Sequence, residues 1–207
     1  MSATQTRHPG LNLGSNHQSA DDRAETEVFG FWVFMMSDAI LFGLLMATYV
    51  VMRPNTNGGP GPHDLFELKS IFIETMLLLA SSVAIGFSHL ALKHEDRPTK
   101  MVIWLVVAMA LALAFVGFEI HDFLKMAGKG GVPQASGFLS AFFALVPLHG
   151  LHVSAACLWG LAILGQLARY GLDDGVKVSM VRLAVLWHFL DLVWIGIFSL
   201  VYIGGLA

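Results

Sequence analysis

Apolar residues in this chain fall into five long runs separated by short polar breaks, and the breaks carry most of the charge. The first run covers about 29–52 and is stopped by Arg53-Pro54. A loop rich in glycine and proline (Gly58, Gly59, Pro60, Gly61, Pro62) leads to the second, about 70–92. The hydrophilic stretch Lys93 to Lys100 turns the chain into a third run, about 101–124, and the loop Lys125 to Gly137 precedes a fourth, about 138–168. Arg169 to Met180 is the last break, and the fifth run covers about 181–202. At a rise of about 1.5 Å per residue, roughly 20 residues cross a hydrocarbon layer about 30 Å thick, so each run is long enough to span it. The fourth run is longer than needed and is expected to tilt, kink at Pro147 or protrude. The pattern predicts an all-α membrane protein: a bundle of five transmembrane helices over 28–207 behind a polar, disordered tail at 1–27.

Composition supports this and removes alternatives. With 56% hydrophobic and 13% charged residues and a mean hydropathy of +0.67, the chain is too apolar for a soluble domain of its size. A net charge of -3, with basic residues scattered over short loops, excludes a nucleic-acid partner. Cys157 is the single cysteine, so no disulfide or cysteine metal cluster forms within one chain, and it reads as a small packing residue. No apolar stretch precedes Val28, and the first run is too long for a signal peptide and lacks a small-residue cleavage site, so it reads as an uncleaved span. The tail and the second and fourth breaks, with Arg182 at the start of the fifth run, carry eight Lys or Arg, the opposite side four. This bias predicts a cytoplasmic N-terminus and a periplasmic C-terminus, with Trp32, Trp104, Tyr49, Tyr170 and Tyr202 as interfacial anchors. No internal repeat is visible, which weighs against an inverted-repeat transporter.

Candidate chemistry lies in the ionisable residues inside the runs. Leu186 to Trp194 places His188 and Asp191 three residues apart, and His149 and His152 repeat that spacing in the fourth run. Residues three apart share a helix face, and ionisable groups within a bilayer read as functional by default. The two stripes are expected to turn towards each other as one polar seam. Two uses of that seam stand open: ligation of a metal or haem, or hydrogen bonding between helices, which also accounts for the small neighbours Gly150, Ser154 and Ala155. Asp38 falls near the midplane of the first run, where a carboxyl costs about 2.5 to 3.5 kcal/mol on insertion scales. It is expected to face protein or water, either exchanging protons or hydrogen-bonded to a neighbouring helix. Glu74, Glu119, His121 and Asp122 lie near span ends and read as interfacial groups reaching water, with Glu119 the best placed for a buried role. His89 reads as facing headgroups. Acids and histidines without basic residues in mid-span suit proton handling, whereas no phosphate-binding loop, no nucleophile with an adjacent base and no cysteine set is present. The residues alone support a proton-compatible bundle. They leave open a stand-alone proton-coupled carrier relaying through Asp38 and Asp191, and a haem-binding electron carrier using His149 or His152 with His188.

Four stretches together resemble subunit III of the haem-copper respiratory oxidases. They are Phe34-Met35-Met36-Ser37-Asp38 with the following Ala39-Ile40-Leu41-Phe42, then Gly117-Phe118-Glu119, His149-Gly150-Leu151-His152-Val153, and Trp187-His188-Phe189-Leu190-Asp191-Leu192-Val193-Trp194. Many members have seven spans; the five here, with Pro62-His63-Asp64-Leu65-Phe66-Glu67-Leu68 and Ile73-Glu74-Thr75, resemble the quinol-oxidising, cytochrome o-type branch. The resemblance implies a multi-pass subunit of a bacterial inner-membrane complex that oxidises ubiquinol, reduces oxygen to water and pumps protons. It implies oxidase subunits I, II and IV and membrane phospholipids as partners, with haem and copper in subunit I. No catalytic, cofactor-binding or metal-binding residue is then expected in this chain. Asp38 matches the buried carboxylate of the first helix of the five-helix unit, often a glutamate, and is the proton-handling candidate although one methylene shorter. Glu119, His149, His152, His188 and Asp191 match positions of the bundle and its lipid-holding cleft, where an architectural role is implied; Glu74 is a further candidate.

Overall fold

A computed structural model describes residues 18–93 and 98–206, and among these every regular element is helical. In order they are α1 (Gln18–Met52), the one-turn α2 (Pro62–Leu65), α3 (Leu68–Lys93), α4 (Pro98–Gly128), α5 (Gly137–Tyr170) and α6 (Asp174–Ile197). Helix α6 continues as a π-helix over Phe198–Ile203 and ends in the short α7 (Gly204–Leu206). Five segments are long and apolar enough to cross a membrane: Phe29–Met52, Leu68–Leu92, Thr99–Gly128, Gly137–Arg169 and Gly175–Ile203. These coincide with the five apolar runs.

The differences lie at the helix ends, where polarity was read as the end of structure. Part of the expected disordered tail, from Gln18 on, is helical in its backbone; residues 1–17 of that tail lie outside the described residues. Low hydrophobicity does not mean low helicity, since helix formation in the backbone does not require apolar side chains. The fifth helix likewise starts at Asp174, ahead of the expected 181, because Lys177 and Arg182 occupy its polar opening turns rather than a loop. Helix α4 runs past 124 to Gly128, where two backbone bonds close it: Gly131 N–H to the Met126 carbonyl (2.8 Å) and Gly130 N–H to the Ala127 carbonyl (3.1 Å). This is a Schellman closure, and it needs the left-handed conformation that Gly130 supplies (φ 81°). Ser136 caps α5, its Oγ accepting from Leu139 N–H at 3.2 Å. Pro147 lies within α5, which continues through it to Tyr170.

Helices α5 and α6 form the centre. Helix α5 packs on α1, α4 and α6; α6 packs on α1, α3 and α5; α3 and α4 form a close hairpin. Helix α1 stands at the edge: 11% of its apolar window is buried, against 44% for the windows of α5 and α6. Side chains stitch these contacts where no water is available to satisfy polar atoms. Ser88 Oγ donates to the Met101 carbonyl (2.9 Å) across the α3–α4 hairpin. Trp187 and Trp194 of α6 donate their indole N–H groups to Ser81 Oγ (3.0 Å) and Thr75 Oγ1 (3.1 Å) of α3. At the far end of α1, Tyr49 donates to the Val201 carbonyl (3.3 Å), and the Arg53 guanidinium donates to the Gly204 carbonyl. The π-helix displaces the regular carbonyl ladder there, and Tyr49 of α1 and Arg53 just beyond it take up acceptors at the altered end.

Candidate functional site

The intramembrane acids and histidines do not converge on one seam. They occupy three separate places, each set by which helix faces meet there.

The first place is the interior. His149 is fully buried on α5, its ring stacked on Trp194 (centroids 5.3 Å apart, 28° between planes) with Phe115 and Phe42 edge-on at 6.0 and 6.3 Å. Neither ring nitrogen finds a hydrogen-bond partner among the described residues, so His149 acts here as a packed ring rather than as the inter-helix hydrogen bond expected. The next residue explains the position of an acid. A Cβ built on Gly150 would collide with the Glu119 carboxyl oxygen and lie 2.9 Å from Glu119 Cδ. A side chain at this position would force the Glu119 carboxyl of α4 to move away from the α5 backbone. Glu119 and Glu74 are both buried, at 3% and 2% exposure, which corrects the interfacial reading of Glu74. Its position one helical turn inside the span gave that reading; burial follows because α3 faces the centre of the bundle at this level. Glu74 and Glu119 lie within electrostatic reach of each other, Glu74 also of Asp122, and the buried Tyr202 of all three. His121, by contrast, is exposed as expected.

The second place is the contact between α1 and α5. Asp38 Oδ2 lies 3.8 Å from His152 Nε2, and the two side chains are 14% and 25% exposed. The other ring nitrogen of His152, Nδ1, is 2.8 Å from the Leu148 carbonyl of its own helix, which fixes the ring against α5. Phe42 packs edge-on at 5.3 Å and walls the pair on one side. An acid facing an imidazole across a helix contact, with limited access from outside, is suited to exchanging a proton.

The third place is the α3–α6 contact. His188 Nδ1 lies 3.0 Å from Ser82 Oγ and 3.8 Å from Asp191 Oδ2. The His188 side chain is 54% exposed, the Asp191 side chain 9%. Asp191 instead borders a small cavity with Leu78, Val153, Ala156, Trp187 and Leu190. The expected meeting of the two stripes fails for a geometric reason. Residues three apart on a helix diverge by about 60°, enough for His149 and His152, or His188 and Asp191, to face different neighbours.

No bond-making constellation results. Among the described residues no three His, Cys, Asp or Glu are grouped to hold a metal. The donor set does not fit one: the His149 ring is sandwiched by aromatics, His152 is committed to Leu148 and Asp38, and His188 lies on another face. Sequence reasoning overlooked Ser82, Thr75 and Ser81, the partners of His188, Trp194 and Trp187. A signal was present: a buried indole in a lipid-embedded helix needs an acceptor, and Thr75, Ser81 and Ser82 run along α3 as Trp194, Trp187 and His188 run back along α6.

Comparison with known proteins adds independent findings. Residues 13–206 match the family described as Cytochrome c oxidase subunit III. The chain is 42% identical over 193 residues to the cytochrome bo(3) ubiquinol oxidase subunit 3 of Pseudomonas aeruginosa, covering 93% of this chain and 92% of that one. It is 37% identical over 203 residues to the quinol oxidase subunit 3 of Bacillus subtilis, covering 97% of each. It is also 35% identical over 190 residues to the cytochrome c oxidase subunit 3 of Bacillus sp. PS3, covering 92% and 91%.

Proposed function

Because the chain belongs to the cytochrome c oxidase subunit III family, we propose that it serves as the third, non-catalytic subunit of a membrane quinol oxidase that oxidises ubiquinol and reduces oxygen to water. The observation that carries this reading is the near full-length similarity to quinol oxidase third subunits, in a chain whose intramembrane acids and histidines are spread over separate helix contacts. In this reading the haem and copper that reduce oxygen belong to subunit I, and subunits II and IV and membrane phospholipids complete the surroundings. The complex sits in the bacterial inner membrane. The eight-to-four distribution of basic residues supports a cytoplasmic N-terminus and a periplasmic C-terminus.

This chain's own part is structural and protonic. The interior acids, the aromatic box around His149 and the α3–α6 hydrogen bonds fix the relative positions of five spans, and the outer faces are left to lipid and to partner subunits. Asp38 and His152 face each other across the α1–α5 contact, both partly buried, and they are the groups through which the chain supports proton uptake by the complex. Purifying the tagged chain in mild detergent from its native membrane and measuring ubiquinol-driven oxygen consumption tests the reading. Activity with larger co-purifying chains is the expected result. An intact chain that purifies alone, without activity, overturns it and favours a proton-coupled carrier centred on Asp38.

A further inference from the structure

His188 stands where a polar side chain is hardest to keep. It lies near the middle of the span Gly175–Ile203. By helical rise that is roughly 20 Å from either end. Its side chain is nevertheless 54% exposed on the outside of the bundle. The hydrocarbon layer extends about 15 Å to either side of its midplane, so headgroups do not reach the ring, and an imidazole is too short to reach them. Acyl chains offer no hydrogen-bond partner. Within the chain Ser82 engages Nδ1, and Nε2 has no hydrogen-bond partner among the described residues.

The surface beside the ring has a matching shape. Gly86 lies one turn along α3 from Ser82, both are only partly buried, and nothing stands within 4 Å of where a Gly86 Cβ would be. Ser82 and Gly86 thus form a small-xxx-small pair next to open space, the spacing that lets a second transmembrane helix approach closely. Leu79 and Leu192 flank the pair and the ring with exposed apolar surface. On the inner side of the ring, Asp191 Oδ2 lies 3.8 Å from Nδ1. Lipid alone accounts for the leucines but not for an imidazole half exposed within an apolar span.

We propose that the α3–α6 face around Ser82, Gly86 and His188 docks a transmembrane helix of another oxidase subunit, one that packs on Gly86 and carries a hydroxyl, amide or carboxyl opposite His188. The inference rests on the reading of the chain as an oxidase subunit. Its test uses the complex purified through a tag on this chain, with the photocross-linking substitution Leu192→benzoylphenylalanine one turn from His188, which leaves the ring in place. The expected product is a covalent adduct between this chain and a larger subunit. Adducts to lipid alone, in a complex that still co-purifies, overturn the docking face and leave the subunit reading standing. Absence of larger chains even with the unaltered protein overturns both. A second measurement does not depend on the probe. His188→Leu is expected to lower recovery of the larger subunits per tagged chain by about threefold to tenfold, the range of one interhelical hydrogen bond. His188→Gln, which keeps a donor and an acceptor, is expected to restore most of it. Unchanged recovery with leucine overturns the proposal.

Discussion

Glu119 and His188 are both ionisable residues inside membrane spans, and the bundle treats them in opposite ways. Glu119 is buried against the backbone of Gly150 and close to the stacked pair of His149 and Trp194. His188 is turned outward at mid-bilayer with a serine on one side and Asp191 behind it. The first region is enclosed by the chain's own side chains. The second is not: its imidazole is half exposed on the outside of the bundle, where a polar group in hydrocarbon is costly. The lesson is that a polar residue in a span carries two different meanings. Burial marks architecture, and outward display marks a contact.

Breaking the interior should therefore damage the chain itself. The largest effect is expected from Trp194→Ala, which removes the ring stacked on His149 and the hydrogen bond to Thr75. Truncating a buried tryptophan costs about 3 to 5 kcal/mol, so the chain should lose most of its folded population in a detergent thermal-stability assay. A Trp194→Ala variant with near-normal stability breaks the comparison on the interior side. Gly150→Ala comes next. Its methyl group meets the Glu119 carboxyl, and overpacking of this kind costs about 1 to 3 kcal/mol. The double change Gly150→Ala with Glu119→Ala should recover part of that loss, because it removes the clashing group; no recovery in the same assay contradicts the contact.

Changes at the periphery sharpen the comparison by having small effects. Glu67 lies 3.6 Å from Lys125 and 3.7 Å from Lys129 at the exposed end of α4. Exposed ion pairs contribute about 0 to 1 kcal/mol, so Glu67→Gln should shift thermal stability slightly, and less at high salt. The smallest structural effect is expected from Asp38→Asn, which keeps the size of the side chain that faces His152 Nε2 at 3.8 Å while removing the exchangeable proton. Co-purification of the larger subunits should be unchanged, while sustained oxygen consumption falls. Loss of the assembled complex contradicts a purely protonic role for this acid.

The five spans were legible in the sequence because a bilayer demands about 20 apolar residues per crossing, and that demand leaves a pattern no packing detail can erase. Helix ends were less legible. Lys177 and Arg182 look like loop residues in a hydropathy reading, yet they open α6, since polar side chains at an interface do not interrupt a helix. The candidate residues were visible as charged or imidazole groups in apolar runs, but their partners were not. Whether His152 meets Asp38 or His188 depends on helix rotation, which spacing along one helix leaves free. Glu74 shows the same limit: nearness to a span end suggested water, and only the packing of α3 against the central helices decides that it is buried.

The most direct measurement sets the two regions side by side in native membranes. For Gly150→Ala and His188→Leu, the amount of this chain and the amount of larger subunits recovered with each copy of it are determined together. The account predicts that Gly150→Ala lowers the abundance of the chain while the ratio holds, and that His188→Leu leaves the abundance and lowers the ratio. If both substitutions move the same quantity, the distinction between interior architecture and outward contact is wrong.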